Sequence, residues 1–252
     1  MKIQFENVDF SSRSGPNGFG LKLARQLSID GHSLTNDDPD VRLSFIQSIN
    51  DFTPMVLRLD GIWFNIEQDW NALNKPIKES HGIASAVVVQ SQFDKELVES
   101  FFGKRENVHV IHNGTDSQMI ESIPAANVGK PRENVWMCAS SWRPHKRLQE
   151  NIRLFKSFAK KDDVLLVAGQ NAKIDDNDPR ITAVGDLSWE QLISCMKASG
   201  NFIHLAWDFS PTRLYHPPQM TFDCSGNKNY KSSVHIKDVA KKYAKVLEGI
   251  KV

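Results

Sequence analysis

The feature of this sequence that most limits its possible folds is a regular alternation of short apolar segments with helical patterns. The apolar segments are rich in β-branched or large residues, which is typical of strands. In the first half of the chain they are residues 2–10, 54–60, 84–90 and 108–111. Parallel strands need long crossover connections, and helices supply them. The alternation therefore predicts an α/β fold built on parallel sheet.

The helical patterns carry recognisable start and stop signals. Apolar residues recur every four positions from Phe19 to Leu27, and Gly31 is placed to end that helix in the left-handed conformation. Ser91, followed three residues later by Asp94, forms a capping-box pattern at the start of a second helix. Each helix thus begins after a predicted strand, as a crossover connection requires.

The second half of the chain repeats the alternation after an interruption. Residues 116–134 contain two prolines and a glycine without periodicity, and we interpret them as a linker between lobes. Residues 207–232 show no regular pattern, and an amphipathic helix follows them. Further strands are predicted at residues 135–139, 164–168 and 202–206, with helices at 147–160 and 189–198.

Two strand and helix series predict two Rossmann-like lobes with a cleft between their strand ends. Residues 1–125 are expected to form the first lobe, residues 126–232 the second, and residues 233–252 a separate C-terminal helix.

The overall charge excludes several classes of partner. The formal net charge is +1, so no global field draws the molecule toward nucleic acid or an anionic membrane. The first ten residues do not form a signal peptide, and no apolar run reaches the ~20 residues of a membrane span. We therefore expect a soluble, cytoplasmic enzyme without nucleic acid as a partner, and peripheral membrane contact stays open.

The thiol and imidazole groups do not form a metal pattern. Cys138, Cys195 and Cys224 form neither a CxxC pair nor an even set, and the histidines have no H-x-H or H-E-x-x-H spacing. We expect reduced thiols, no metal site and no bound cofactor.

Two segments of the first lobe are candidate binding elements. The loop containing Gly15, Asn17 and Gly18 leads into the first helix, where free backbone amides favour an anion or a sugar hydroxyl. The alternative is a tight turn in which Ser14 or Asn17 caps the helix. Arg58 and Asp60 end an apolar strand, where open α/β sheets bind ligands, and the alternative is an internal Arg58–Asp60 ion pair or loop anchor.

The second lobe contains a basic turn between its first strand and first helix. Ser140 or Ser141 can cap that helix, and Arg143 and Lys146 project from its start. Two cations at a positive helix terminus are unfavourable unless an anion joins them, and a diphosphate would. The alternative is a solvated basic turn.

Two further turns follow predicted strands. Asn113 lies in the turn "IHNGTD" after the last strand of the first lobe, whereas Asp208 and Ser210 follow residues 202–206 in the second. A plain turn explains each of them as well as a ligand site does.

Taken in order, these segments resemble glycosyltransferase family 4 and its relatives, which have the two-lobed GT-B fold and are typically retaining. The segments that carry the resemblance are "GPNGF", "RLDG", "VVVQSQFDKELV", "VIHNGTD", "SSWRPHKRL", "LLVAGQN" and "FIHLAWD".

The resemblance implies a metal-independent transfer of a sugar from a nucleoside-diphosphate donor to a hydroxyl of a glycan or lipid-linked sugar. It also implies that the final helix crosses back onto the first lobe. The implied residues are, for donor phosphate, Gly18, Ser140, Ser141, Arg143, Lys146 and Ser210; for the acceptor, Gly15, Asn17 and Arg58; and, as catalytic candidates, Asp60 and Asp208.

The sequence departs from the family at one functional motif. Members carry a pair of glutamates after the strand that resembles "FIHLA", whereas this chain has no glutamate between Glu190 and Glu248. Either Asp208 substitutes, or the donor binds differently, or the protein binds nucleotide or carbohydrate without turnover. A nicotinamide oxidoreductase is disfavoured, because the G-x-G-x-x-G fingerprint is absent.

Overall fold

The computed structural model of the protein describes residues 1–12, 14–48, 54–205 and 235–250. These residues form two compact units. The N-terminal unit contains the chain up to Ser117 together with residues 235–250, and the C-terminal unit begins at Gln118 and is described to Leu205.

The N-terminal unit is built on a parallel sheet with the strand order β2-β1-β3-β4-β5-β6. Its central strands are buried on both faces, which explains why they consist of nearly continuous apolar residues. The strands are β1 (Lys2–Glu6), β2 (Ser33–Leu34), β3 (Val41–Phe45), β4 (Met55–Leu59), β5 (Ala86–Val89) and β6 (Val108–Val110).

Two helices of this unit begin or end at signals in the sequence. Ser14 caps α1 (Gly15–Ile29), and Gly31 follows its end with φ 91°. Ser91 caps α3 (Gln92–Phe102) by accepting a hydrogen bond from the Asp94 N–H at 3.1 Å. The other long helices are α2 (Trp70–Ile83), which Asp69 caps, and the C-terminal helix α7 (Ile236–Ile250).

The C-terminal helix completes the core of the N-terminal unit, as the family resemblance implied. Tyr243 and Leu247 are fully buried in the same apolar cluster as Phe19 and Ile3. Gly114 makes this packing possible, because a Cβ atom there would lie 2.9 Å from Cγ2 of Val239. The two ends of the chain therefore share one hydrophobic core.

The C-terminal unit contains a second parallel sheet, with the order β10-β7-β8-β9. The Lys197 ammonium group fixes the first segment of this unit by donating hydrogen bonds to the carbonyls of Ile120, Glu121 and Ile123. The elements are α4 (Ser117–Ser122), β7 (Val135–Ala139), α5 (Leu148–Phe158), β8 (Val164–Ala168), β9 (Ile181–Gly185), α6 (Trp189–Ala198) and β10 (Asn201–Phe202).

Several elements were missed by the sequence patterns. The strand β3 contains Arg42, which looks like a surface residue but is 1 % exposed because Glu6 and Ser48 contact it. The helix α2 contains Pro76 and many polar residues, which obscured its periodicity. The remaining missed elements are β2, β9 and α4, which are short or solvent-facing.

No helix among the described ranges combines the length and the apolar character that crossing a bilayer requires.

We expect the stability of the N-terminal unit to fall as the pH drops below about 6.5. His81 is 6 % exposed near the end of α2, and burial, together with Arg105 and Lys78, lowers its pKa to about 4. The His81 imidazole binds a proton more readily in the unfolded chain than in the folded one. The free energy of unfolding therefore decreases as the pH falls from about 6.5 to about 4. His81→Gln should remove about 1 to 2 kcal/mol of the difference between pH 7 and pH 5.

The measurement is urea unfolding of both proteins across that pH range. An unchanged slope of the unfolding free energy with pH in His81→Gln would contradict a neutral buried His81.

Candidate functional site

Arg58 lies at the centre of the carboxyl edge of the N-terminal sheet. Arg58 is fully buried, and its guanidinium lies 4.5 Å from the ring centroid of Phe19 and 4.6 Å from that of Phe45. A buried guanidinium needs hydrogen-bonding partners, because its desolvation is expensive. Its aromatic neighbours hold it in place without supplying those partners.

The partners form a closed polar ring at the ends of three adjacent strands. Arg58 Nη1 lies 2.7 Å from Asp60 Oδ2, and Arg58 Nη2 donates to Asn113 Oδ1 at 2.9 Å. Asn113 Nδ2 donates to Gln90 Oε1 at 2.6 Å, and Gln90 Nε2 donates to Asp60 Oδ1. The internal ion pair considered from the sequence therefore exists, and it belongs to a four-residue ring that includes the exposed Asn113.

Asp60, the acidic residue of the ring, is partly exposed to solvent. The Asp60 side chain is 20 % exposed, whereas that of Arg58 is fully buried. Asp94 lies near this pair, and burial raises its pKa, with the charge of Asp60 adding to the increase and a hydrogen bond from Ser91 opposing it. The site thus contains one accessible carboxylate beside a second whose charge is disfavoured.

Tyr243 brings the C-terminal helix to the same guanidinium. Burial raises the pKa of the Tyr243 phenol to about 12, and Arg58 opposes this increase. The Phe19 ring lies 6.0 Å from the Tyr243 ring. Arg58 is therefore enclosed by α1, β3 and α7.

The glycine-containing segment is the first turn of α1. Ser14 accepts a hydrogen bond from the Asn17 N–H at 3.4 Å, so the serine alternative for the cap is the observed one. Gly15, Asn17 and Gly18 lie within the helix rather than in a preceding loop. The prediction of a glycine loop before the helix was wrong, because Ser14 is the N-cap and α1 already begins at Gly15.

A recess of about 380 Å³ lies beside this turn, lined by Asn7, Val8, Asp9 and Asn17. The Asn17 side chain accepts a hydrogen bond from the Asp9 N–H at 3.2 Å. The recess lies at the end of β1, where the strand order reverses between β1 and β3, which is where open α/β sheets bind ligands. The structure thus places Asn17 in a wall of this recess.

The backbone next to the recess has unusual dihedral angles. Asn7 has φ 61° and Ile46 has φ 69°, and Asn7 Nδ2 donates to the Phe45 carbonyl at 2.8 Å. A left-handed conformation is rare for a β-branched residue such as Ile46 and costs about 1 to 3 kcal/mol. Strain of this kind concentrates at functional sites.

In the C-terminal unit, the basic turn is held against the ends of two strands. The Ser140 N–H donates to the Ala168 carbonyl at 3.2 Å, and Trp142 Nε1 donates to the same carbonyl at 2.9 Å. Gly169, with φ 109°, permits this approach, because a Cβ atom there would lie 1.9 Å from the Ser140 carbonyl oxygen. The start of the turn therefore has a defined position.

The turn continues differently from the sequence prediction. Pro144–Lys146 form a 3-10 helix, Arg147 has φ 53°, and α5 begins only at Leu148. Neither helix is capped by a serine side chain, so the expectation that Ser140 or Ser141 caps the helix was wrong. The Ser140 hydroxyl contacts the Ser141 carbonyl at 3.4 Å instead.

Lys146 of this turn lies near His204, which follows the neighbouring strand β10. Arg143 is exposed and Lys146 is partly buried. Burial lowers the pKa of His204, which follows β10, and Lys146 lowers it further, so the two side chains are electrostatic neighbours. The structure therefore brings Lys146 and His204 together at one edge of the sheet.

Asn151 fixes the distance between this turn and β10. It is 1 % exposed, and its Nδ2 donates to the carbonyls of Lys146, Arg147 and Leu205, at 3.2, 2.8 and 3.1 Å. Its Oδ1 accepts from the Leu205 N–H at 2.9 Å.

Sequence reasoning missed Gln90, Asn151 and His204. A polar residue within the apolar stripe of a helix was the available signal for Asn151. Gln90 ends a predicted strand as Asp60 does, and the same positional argument applies to it. Asp208 and Ser210 lie outside the described residues.

The candidate groups do not form a metal centre in the part of the chain that the structure describes, where no three His, Cys, Asp or Glu side chains are grouped as metal ligands would be. Cys138 is buried, and burial raises its pKa to about 12, so it is a thiol rather than a thiolate.

No sequence profile of a known protein family and no curated protein matches this chain. Solved structures do match it. HepE from Anabaena in complex with UDP-glucose is 14 % identical, with a TM-score of 0.61 over 82 % of this chain and 74 % of HepE. Sucrose-phosphate synthase from Thermosynechococcus elongatus is 12 % identical, with a TM-score of 0.59 over 80 % of this chain and 74 % of the synthase.

A third similar structure is the lipopolysaccharide outer core galactosyltransferase WaaB, with 12 % identity and a TM-score of 0.55 over 82 % of this chain and 74 % of WaaB. These proteins are GT-B glycosyltransferases. The predicted GT-B fold is thereby confirmed, with two Rossmann-like units and the C-terminal helix on the first.

We expect Arg58→Met to destabilise the protein by about 3 kcal/mol, because it leaves the Asp60 carboxylate without its buried cation. Asp60→Asn should also destabilise, and the double variant should cost less than the sum of the two changes. The measurement is a double-mutant cycle by urea unfolding.

The matched control is the exposed pair Lys2–Asp38, which should contribute less than about 1 kcal/mol. Additive effects of the changes at Arg58 and Asp60 would show that the ring is not energetically coupled.

Proposed function

We propose that this protein is a glycosyltransferase that moves a sugar from a nucleoside-diphosphate donor to a hydroxyl of a glycan or lipid-linked sugar. The observation that carries the proposal is the position of the basic turn. In a chain with the GT-B fold, Arg143 and Lys146 stand at the carboxyl edge of the C-terminal sheet, on a backbone anchored by Gly169 and Asn151.

The donor diphosphate binds at this turn. Arg143 supplies a forked set of donors and Lys146 a point charge, which suits the oxygens of a diphosphate. The hydroxyl groups of Ser140 and Ser141 add neutral hydrogen bonds, and Ser210 belongs to the same proposal by sequence. HepE, a similar structure, holds UDP-glucose, which supports a nucleotide-sugar as the donor.

The chemistry needs charge stabilisation at the departing diphosphate. Negative charge accumulates on the diphosphate as the bond between its oxygen and the anomeric carbon of the sugar breaks. Fixed cations stabilise this charge without reorganisation. His204 beside Lys146 can add a hydrogen bond. We therefore propose that the transfer is metal-independent, and the resemblance to glycosyltransferase family 4 supports a retaining outcome.

The acceptor binds at the edge of the N-terminal sheet. Asp60 offers an accessible carboxylate to a sugar hydroxyl, and Arg58 and the rest of the polar ring fix its orientation. Gly15, Asn17 and Gly18 line the approach beside the recess at the end of β1, with Gly18 proposed for donor phosphate.

A second function is a nucleotide- or carbohydrate-binding protein without turnover. The observation that favours it is the absence of glutamate between Glu190 and Glu248, where the family has its paired glutamates. In that case the basic turn would bind a nucleotide, and no sugar would be released from it.

We expect Arg143→Ala and Lys146→Ala each to weaken binding of a nucleoside diphosphate, because each removes a charge-assisted hydrogen bond. Such bonds contribute about 1.5 to 3 kcal/mol, or roughly ten- to a hundred-fold in affinity. Titration calorimetry with UDP, ADP and GDP measures the effect, and the melting temperature should change little.

Arg153→Ala is the matched control, because Arg153 is an exposed cation on α5 with its side chain 74 % exposed. Equal affinities in all variants would refute the phosphate site.

We expect donor binding and turnover to survive a chelator such as EDTA, because the cations of the turn do the work of a metal. Release of free sugar or transfer to an acceptor, measured with a panel of nucleoside-diphosphate sugars, separates the two functions. Diphosphate binding without any turnover would favour the binding protein, and a strict need for manganese or magnesium would contradict the metal-independent mechanism.

A further inference from the structure

The loop that leaves the carboxyl end of β4 presents a tryptophan on a fixed backbone. Asn74 of α2 is 4 % exposed; its Nδ2 donates to the Trp63 carbonyl at 2.6 Å, and its Oδ1 accepts from the Trp63 N–H at 2.9 Å. Both backbone polar groups of Trp63 are thereby satisfied by one buried amide. The residue itself stays 42 % exposed, so its backbone position is fixed while its ring faces solvent.

The residues around Trp63 hold the loop on both sides. Ile62 is buried at 8 % exposure, and the Phe64 ring packs edge-on against Phe93 of α3 at 6.4 Å between centroids. Asn65 then closes a turn by accepting from the Glu67 N–H at 3.0 Å. The loop is therefore packed against α2 and α3 and does not need the Trp63 ring for its own core.

Trp63 is close to Asp60 along the chain. It follows Asp60 by three residues, and a chain segment of that length spans at most about 11 Å. Asp60 and its partners Gln90 and Asn113 offer acceptors and donors there. An aromatic face next to such groups matches a pyranose, which has a face of C–H groups and an edge of hydroxyls.

We propose that Trp63 is the stacking platform for the acceptor sugar, which places an acceptor hydroxyl at Asp60. This inference rests on the proposed acceptor side of the glycosyltransferase. The negative face of the indole attracts the polarised C–H groups of a sugar ring, and stacking of this kind tolerates different substituent patterns. Trp63 therefore supplies affinity, and the polar ring selects the hydroxyl.

The test is saturation-transfer NMR with methyl glycosides of glucose, galactose, mannose and N-acetylglucosamine, which needs no turnover. We expect the wild type to bind at least one of them, with saturation strongest at the ring C–H protons. Trp63→Ala should weaken that binding about ten-fold or more, and Trp63→Phe should retain most of it. Affinity for UDP should be the same in all three proteins.

Ile66→Ala is the matched control, because Ile66 is exposed in the same loop at 55 %. The proposal is overturned if no glycoside binds the wild type, if Trp63→Ala binds as well as wild type, or if Ile66→Ala loses as much affinity. Loss of the phosphate site would instead appear as lost UDP binding in the wild type, so the two failures are distinguishable.

Discussion

The burial of one guanidinium organises the N-terminal unit. Arg58 has no access to solvent, so the fold must supply its partners from within. Those partners follow three neighbouring strands, while Phe19, Phe45 and Tyr243 enclose the charge. Asp60 and Asn113 contact the guanidinium directly, and Gln90 links these two residues to each other. The ring therefore fixes the relative positions of the loops on which the proposed acceptor site is built.

The C-terminal unit reaches a similar result with neutral groups. Its basic turn is positioned by backbone hydrogen bonds to the end of β8, by the missing side chain of Gly169 and by the buried amide of Asn151. The backbone that carries Arg143 and Lys146 therefore has a defined position at the edge of the sheet.

Much of the fold could be predicted because its signals are local. Ser91, Gly31 and the apolar strands act within a few residues of themselves, and the structure confirmed each of them. The strand β3 was missed because arginine is usually a surface residue. Arg42 is buried because the distant Glu6 pairs with its charge. The serine caps at the basic turn were wrong because a 3-10 helix intervenes.

The sequence by itself determined that the chain forms parallel α/β units, that Arg58 and Asp60 lie at a strand end, and that Arg143 and Lys146 lie in the turn between a strand and a helix. Periodicity and capping depend on neighbouring residues, so one sequence is enough to show them. Only the tertiary structure decided that Arg58 is enclosed and that Gln90 and Asn113 close a ring with Asp60. Those contacts join residues 23 to 55 positions apart, and their energy comes from burial that no local pattern records.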